Sequence, residues 1–234
     1  MYLYETHCHT SPVSKCARAT VRQTLEFYKS QGYRGVFITN HFIDGNVNAD
    51  KNADYKDLLD FYFSDYNEGK ALEKEIGIDV FLGVETSYRG TDFLIYGLDR
   101  EWWYAHPEIM EMTKAQQLEF MREQGALVIH AHPFREAKYI DHIRLFPRVV
   151  DGVEIFNAGR TDFENEMARI YAKCYGFARF SGTDNHSAGL VARLGGIGTK
   201  RVIRSESQLR ELLLDGKVKP IVNREVRKDP TCGE

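Results

Sequence analysis

Short apolar runs alternate with longer amphipathic segments along the whole chain. The apolar runs have the length of buried strands, and the longer segments repeat apolar residues at three- and four-residue spacing, as helices packed on a sheet do. The predicted strands are 2–4, 35–39, 79–83, 92–96, 126–130, 152–156, 178–181 and 220–223. The predicted helices are 20–31, 55–76, 112–124, 163–175 and 207–215.

Repeated strand–helix units predict an α/β fold, with a parallel sheet and the helices outside it. About seven units in a chain of this length favour a TIM-like barrel. An open doubly wound sheet is the alternative, but it usually has a glycine-rich loop after its first strand, and the sequence has none there. We expect a single barrel domain over 1–223, followed by a polar tail at 224–234.

Composition indicates a globular protein and argues against binding to long nucleic acid or to membranes. Of the 234 residues, 43% are hydrophobic and 28% are charged, and the net charge is −3, so no strong attraction to long nucleic acid is expected. The N-terminal segment lacks the pattern of a signal peptide, and no run is long and apolar enough to cross a bilayer. The four cysteines form no CxxC pair, which favours reduced thiols. We therefore predict a cytoplasmic protein that does not bind membranes.

Histidines and acidic residues follow most of the predicted strands. In a parallel barrel, the loops after the strands gather at one end, so these side chains would meet there. Residues i and i+2 of an extended segment point the same way, which lets two members of each HxH or DxH pair face one site. Imidazoles and carboxylates together suit Zn²⁺, Mn²⁺ or Fe²⁺. The residues concerned are His7, His9, His41, Glu85, His130, His132, Asp184 and His186.

The segments THCHT, ITNHF, GVETS, AHPF and GTDNHS occur in this order and resemble the motifs of the PHP (polymerase and histidinol phosphatase) domain. The resemblance covers essentially the whole chain. It implies a distorted seven-stranded β/α barrel, with two or three divalent metals at the carboxyl ends of the strands.

The resemblance also implies which side chains hold the metals. The first metal would bind His7, His9, Glu85 and Asp184. Glu85 would connect it to a second metal, which His132 also binds. His41 and His186 would hold a third metal.

Three further positions are candidate ligands. Cys16 is nearest to the place where many family members have another ligand for the third metal, although a plain thiol is the alternative. Asp99 or Asp92 could replace a histidine that many members have after the glutamate. His130 could be a ligand, or could instead hydrogen-bond a ligand.

The activity implied is hydrolysis of a phosphate ester of a small molecule by a metal-bridging hydroxide, with Glu85, Asp184 and His186 as catalytic residues. Arg135, Arg160 and Lys15 are the candidates for binding phosphate. The alternatives are a protein tyrosine phosphatase, a short-oligonucleotide exonuclease, a non-catalytic metal-binding module, and an amidohydrolase-like enzyme that cleaves C–N bonds. The sequence leaves the substrate, the metal and the oligomeric state open.

Overall fold

The structure is a computed structural model that describes residues 1–227. Its strands are β1 Tyr2–Cys8, β2 Gly35–Ile38, β3 Asp79–Tyr88, β4 Thr91–Tyr96, β5 Leu127–Ala131, β6 Gly152–Asn157, β7 Ala178–Gly182, β8 Arg193–Leu194, β9 Ile197–Thr199, β10 Val218–Pro220 and β11 Arg224–Glu225. Its α-helices are α1 Val21–Ser30, α2 Tyr55–Tyr62, α3 Ser64–Ile76, α4 Arg100–Ala105, α5 Lys114–Glu123, α6 Asp162–Tyr175 and α7 Glu206–Leu214. A 3₁₀ helix covers Pro107–Glu111.

Nine strands form one sheet in the order β10-β9-β1-β2-β3-β4-β5-β6-β7. The sheet curls into a nearly closed barrel, because β7 at one edge contacts β1 and β10 near the other. Strands β1 to β3 run parallel to one another, as do β5 to β7. The predicted α/β barrel is therefore confirmed, with its helices packed on the outside.

Strand β4 departs from the expected parallel pattern. It runs antiparallel to both β3 and β5. The turn between β3 and β4 consists of Arg89 at φ 50° and Gly90 at φ 83°, a tight hairpin that leaves no room for a crossover helix. As a result, the start of β4 lies at the end of the barrel where β3 and β5 finish, and the end of β4 lies at the opposite end.

Two smaller predictions also change. The predicted helix 55–76 is two helices, since Phe63 ends α2 and precedes α3. Of the predicted tail, Arg224 and Glu225 pair with β8, and the Arg227 backbone N–H donates to Gln31. Residues 228–234 of that tail lie outside the described residues. Across residues 1–227, no helix is long and apolar enough to span a membrane.

The half of the barrel interior away from the histidines is filled with apolar side chains. Tyr4, Phe37, Phe81, Tyr96 and Phe180 pack there together, and none is more than 4% exposed. Helix α7 adds leucines to the same cluster. Because this half is closely packed, it gives rigid support to the polar side chains in the other half of the interior.

A buried carboxylate joins β1 to β7 beneath the polar half. Glu5 is fully buried, and one of its oxygens accepts hydrogen bonds from the backbone N–H groups of Thr6 at 2.9 Å, His7 at 2.8 Å and Thr183 at 2.9 Å. Its other oxygen accepts from the Thr183 hydroxyl. Glu5 therefore fixes the two chain segments that carry His7 and Asp184.

We predict that Glu5→Leu lowers the free energy of unfolding by about 3 kcal/mol or more, because three buried N–H groups lose their acceptor at about 1–3 kcal/mol each. Urea denaturation followed by circular dichroism measures this change. The matched control is Glu26→Leu on the outer face of α1, which should leave stability nearly unchanged. Equal stability of the two variants would contradict the role given to Glu5.

Candidate metal centre

Seven predicted ligands meet at the carboxyl ends of the barrel strands. In each of three sets, the ligand atoms lie within 4.8 Å of one another, and most members are buried, although 28% of the His186 side chain is exposed. The sets are His7, Glu85 and His132; His7, His9 and Asp184; and His9, His41 and His186. The shared members His7 and His9 make this one continuous cluster. Its grouping differs from the expected one, because Glu85 is not in the set of His9 and Asp184, and His9 also joins His41 and His186.

Glu85 lies at the centre of the cluster and is 1% exposed. Its Oε1 is 3.1 Å from His7 Nε2, while its Oε2 is 3.3 Å from His9 Nε2 and 2.8 Å from His41 Nδ1. Within the described residues, both carboxylate oxygens and these three nitrogens lack a hydrogen bond of acceptable geometry. Lone pairs that converge without hydrogen bonds suit a cation between them, so the residues fit a metal centre.

Two ligand positions have unusual backbone conformations. His132 has φ 25° and Asp184 has φ 58°, and both values are uncommon for residues other than glycine. His132 directly follows the last residue of β5, and Asp184 follows β7 after one connecting residue, Thr183. The left-handed conformation at each position directs the side chain toward the cluster. Backbone strain of this kind is typical of functional sites, where the surrounding structure offsets its cost.

Glu154 accepts hydrogen bonds from two of the ligand residues, His7 and His132. It is fully buried, and its Oε1 accepts a hydrogen bond from His7 Nδ1 at 2.9 Å. Its Oε2 accepts from the backbone N–H of His132 at 3.0 Å and from Asn157 Nδ2 at 3.0 Å. With its Nδ1 proton donated to Glu154, His7 presents the lone pair of Nε2 to the cluster.

The tautomer of His9 follows from a chain of hydrogen bonds. The Thr10 backbone N–H donates to Asn40 Oδ1 at 2.7 Å, which makes that atom an acceptor. Ser14 Oγ must then donate its only proton to Asn40 Oδ1 at 2.9 Å, and so it accepts from His9 Nδ1 at 3.1 Å. His9 Nε2 therefore carries a lone pair facing Glu85 and Asp184.

Close packing beneath the ligands explains the glycine that ends β7. A Cβ atom on Gly182 would lie 2.4 Å from His7 Cβ and 2.6 Å from Glu154 Oε1. Such contacts would push His7 away from the cluster, so a side chain cannot be accommodated at this position.

Electrostatics keep the two carboxylates ionised. Burial alone would raise the pKa of Glu85, but His41 and His7 outweigh it and hold the pKa well below its usual range. Burial and the neighbouring histidines have the same opposed effects on the pKa of Asp184, which is also lowered well below normal. Both residues can therefore bind cations as anions at neutral pH.

The histidines differ in their proton affinity. Burial, together with the charges of His186 and His41, lowers the pKa of His9 well below normal, so this imidazole is neutral. Burial would also lower the pKa of His7, but Glu154, Asp184 and Glu85 outweigh it and raise it well above normal. A metal at His7 therefore competes with a proton, and metal affinity should fall as the pH falls.

The cluster forms the floor of a cleft of about 540 Å³, a size suited to a small molecule. Two of the three predicted phosphate-binding residues, Arg135 and Arg160, line this cleft, and Arg89 adds a third guanidinium. Arg135 Nη1 is 3.1 Å from Asp92, and Arg160 Nη2 is 3.9 Å from Asp184. Lys15 is exposed and is not among the residues that line the cleft.

None of the further candidate ligands belongs to the three ligand sets of the cluster. Asp99 caps α4 and accepts from the Trp102 backbone N–H at 2.8 Å; it lies at the far end of the barrel because β4 is antiparallel. For the same reason Asp92, at the start of β4, lies near the cluster, 3.8 Å from His132 Nε2. Asp99 was therefore the wrong alternative of the two.

His130 was also a wrong candidate. It lies in β5, and its ring stacks on Phe93 with a centroid distance of 4.9 Å, in the layer between the sheet and the helices. Burial lowers the pKa of His130 to about 3, so the residue is a neutral packing side chain. The alternation rule fails here because His132 lies beyond the strand in a left-handed conformation, and so it does not share a face with His130.

Cys16 is at the rim of the same cleft. Partial burial would raise the pKa of its thiol, but the nearby imidazoles of His186 and His41 outweigh this effect and bring the pKa to about 6. The sequence interpretation missed Glu154 as a partner of His7, and it missed Ser14 and Asn40 entirely. An acidic residue inside the apolar run GVEIF was the available signal for Glu154.

Comparison with known protein families gives no matching family model. The uncharacterized protein MJ1587 of Methanocaldococcus jannaschii is 31% identical to this chain over 143 residues, which are 60% of the chain and 68% of that protein. The chain belongs to the family of MJ1587.

Solved structures identify the fold of this MJ1587-family chain. A two-domain protein from Bacteroides vulgatus that contains a predicted PHP-like metal-dependent phosphoesterase matches 95% of the chain with a TM-score of 0.66 at 14% identity. The chain spans 65% of the length of that protein. An amidohydrolase from Chromobacterium violaceum, solved with bound sulfate and no metal, matches 92% of the chain and 97% of its own length, with a TM-score of 0.51 at 13% identity. The resemblance to the PHP domain is thus confirmed at the level of the fold.

We predict that Glu154→Gln weakens metal binding about 10- to 100-fold, because the amide cannot fix the His7 tautomer as a carboxylate does. Competition of the metal-free protein with a chelating indicator for Zn²⁺ or Mn²⁺ measures the affinity. Glu166→Gln on the exposed face of α6 is the control and should bind like wild type. Unchanged affinity in Glu154→Gln would show that His7 needs no such partner.

Proposed function

We propose that this chain is a metal-dependent phosphoesterase that hydrolyses a phosphate ester of a small molecule. The main support is the position of the buried ligand cluster on the floor of a cleft whose walls carry three guanidinium groups. Guanidinium groups bind phosphate oxygens in pairs, so anion binding and metal binding would be combined in one cleft.

The cluster has side chains for two or three divalent ions, with His7 and His9 each shared between two of the ligand sets. Such ions would supply positive charge for the phosphate oxygens and would make a water molecule nucleophilic at neutral pH. Glu85 is suited to hold two of them because its two oxygens face different histidines.

Asp184 is the proposed proton acceptor. Its Oδ1 is 3.4 Å from His9 Nε2, whereas its Oδ2 faces Arg160 and accepts from Asn157 Nδ2 at 3.3 Å at the cleft. One oxygen can thus bind metal while the other receives the proton of the attacking water. His186 donates from Nδ1 to the Asp184 carbonyl at 2.9 Å, which leaves one ring nitrogen, and we assign that nitrogen to metal binding.

Arg135 is the proposed principal contact of the phosphate. Asp92 holds its Nη1, and its guanidinium lies 5.5 Å from the centre of the Tyr139 ring, which fixes the plane of the group. Its Nε is buried, and within residues 1–227 it has no hydrogen-bond partner. A phosphate oxygen is a suitable acceptor for this unused donor.

Hydrolysis of a C–N bond is the second candidate, because an amidohydrolase shares the fold. The cleft argues against it. Among residues 1–227, those that line the cleft include three arginines and no lysine, and three cations suit an anionic substrate better than a neutral amide.

We predict that the metal-loaded protein hydrolyses p-nitrophenyl phosphate and that Asp184→Asn lowers the rate at least about 100-fold, since both a ligand and the proton acceptor are altered. Chelation of the metals should abolish turnover. Asp162→Asn on the exposed start of α6 is the matched control and should retain activity.

A substrate panel separates the remaining alternatives. Turnover of phosphotyrosine peptides or short oligonucleotides, in preference to nucleotides and sugar phosphates, would favour a tyrosine phosphatase or an exonuclease. A metal-loaded protein that is inert toward all esters but cleaves amides would contradict the proposal, and one that is inert toward every substrate would indicate a binding module.

We predict that Arg135→Lys raises the KM about tenfold with a smaller effect on kcat, because lysine keeps the charge but loses the paired donors. Steady-state kinetics with the best substrate of the panel measures the two parameters. Arg169→Lys on the outer face of α6 should behave as wild type. An unchanged KM would remove Arg135 from the phosphate site.

A further inference from the structure

Helix α6 carries apolar side chains on its outer face as well as on its inner face. Ala168, Tyr171 and Ala172 of the inner face pack against β6. The opposite side of a helix with a single packing partner is usually polar. In α6 that side instead carries an apolar stripe, which consists of Phe163, Met167, Ile170 and Cys174.

The stripe is continuous and open to solvent. Its members are separated by four, three and four residues, so they follow one line along the helix. Phe163 is 67% exposed and Ile170 is 45% exposed, and Cys174 is exposed as well. Met167 is half-buried between them. Across the described range, the fold therefore leaves an apolar surface in contact with water, which is typical of an interaction site.

Exposed charged residues form a row along one flank of the stripe. Each of them directly precedes a member of the stripe, so all lie about 100° around the helix from it, on the same side. In chain order the row is Asp162, Glu166, Arg169 and Lys173. The row is therefore negative in the first half of the helix and positive in the second half.

This order of charges is self-complementary in an antiparallel pair of helices. A two-fold axis places the same flank of two copies side by side, with the chain directions reversed. Asp162 would then face the partner's Lys173, and Glu166 would face the partner's Arg169. A parallel pair would instead bring like charges together, which is unfavourable.

The same alignment covers the apolar stripe. Phe163 comes beside the partner's Cys174, and Met167 beside the partner's Ile170, because the members of each pair lie at equal distances from the middle of the stripe. Each copy thus removes the stripe of the other from water, and no further element is needed.

We propose that the outer face of α6 pairs in antiparallel orientation with α6 of a second copy of this chain. The apolar stripe supplies the contact area, and the charged row sets the orientation. One pair of helices buries less than the roughly 1,600 Å² of a standard interface, so the dimer should dissociate on dilution. The inference is independent of the proposed function, because none of these α6 residues lines the cleft.

Sedimentation equilibrium of the full chain over a range of concentrations tests for the dimer. Ile170→Glu places a charge in the middle of the pair, once from each copy, and should weaken dimerisation at least about tenfold. Leu214→Glu, which changes an exposed leucine of α7, is the matched control and should dimerise like wild type. A chain that stays monomeric at millimolar concentration would overturn the proposal, as would a dimer that Ile170→Glu leaves unchanged.

Exchange of charges tests the orientation. Glu166→Arg brings two arginines together across the pair and should weaken the dimer about threefold to tenfold. The double variant Glu166→Arg with Arg169→Glu restores opposite charges, both between the helices and within each helix, where the two side chains are 3.1 Å apart. It should recover the wild-type affinity. A double variant that dimerises as weakly as the single one would contradict the antiparallel orientation.

Disulfide trapping tests the register. The background carries Cys16→Ser and Cys232→Ser, the second of which lies outside the described residues. In this background Phe163→Cys should form a disulfide with the partner's Cys174 under mild oxidation, seen as a covalent dimer on a non-reducing gel. Absence of this cross-link would overturn the register.

The control for the trapping experiment combines Phe163→Cys with Cys174→Ser. In an antiparallel pair the two introduced thiols lie roughly 16 Å apart along the helix axis, too far for a disulfide. This variant should therefore stay free of cross-links, and so should the background with its native Cys174. A cross-link in either chain would indicate a parallel pair and overturn the proposal.

Discussion

The structure depends on the burial of Glu85 among imidazole nitrogens. Three histidines approach its two oxygens within 3.3 Å, yet none makes a well-formed hydrogen bond with it. Burying an ionised carboxylate is costly unless opposite charge compensates it. A divalent cation bound by these residues would provide that charge and would link metal binding to the stability of this end of the barrel.

The fold fixes the cluster through contacts that lie below it. Glu5 holds the backbone of β1 and of the segment after β7, Glu154 holds His7 and the backbone of His132, and Ser14 with Asn40 holds His9. These hydrogen bonds set which nitrogen of His7 and of His9 faces the cluster. The preorganised donors therefore need little rearrangement to bind metal, which is how rigid scaffolds support catalytic sites.

The meeting of ligands from five separate segments was predictable from the sequence, because the carboxyl ends of parallel strands share one end of a barrel. The predictions for individual ligands were wrong where the local backbone departs from the regular alternation of side chains along a strand or from the parallel order of the strands. The left-handed conformation at His132 separates it from His130, and the hairpin at Gly90 reverses β4, which brings Asp92 to the cluster and removes Asp99. The supporting roles of Ser14 and Asn40 depend on tertiary distances that no spacing along the chain reveals.

Anomalous X-ray diffraction from metal-loaded crystals is the most direct test of the central claim. We expect anomalous peaks within bonding distance of Glu85, with His7, His9 or His41 completing the coordination. Crystals that contain bound metal elsewhere, but show no anomalous peak within bonding distance of any of these residues, would contradict it.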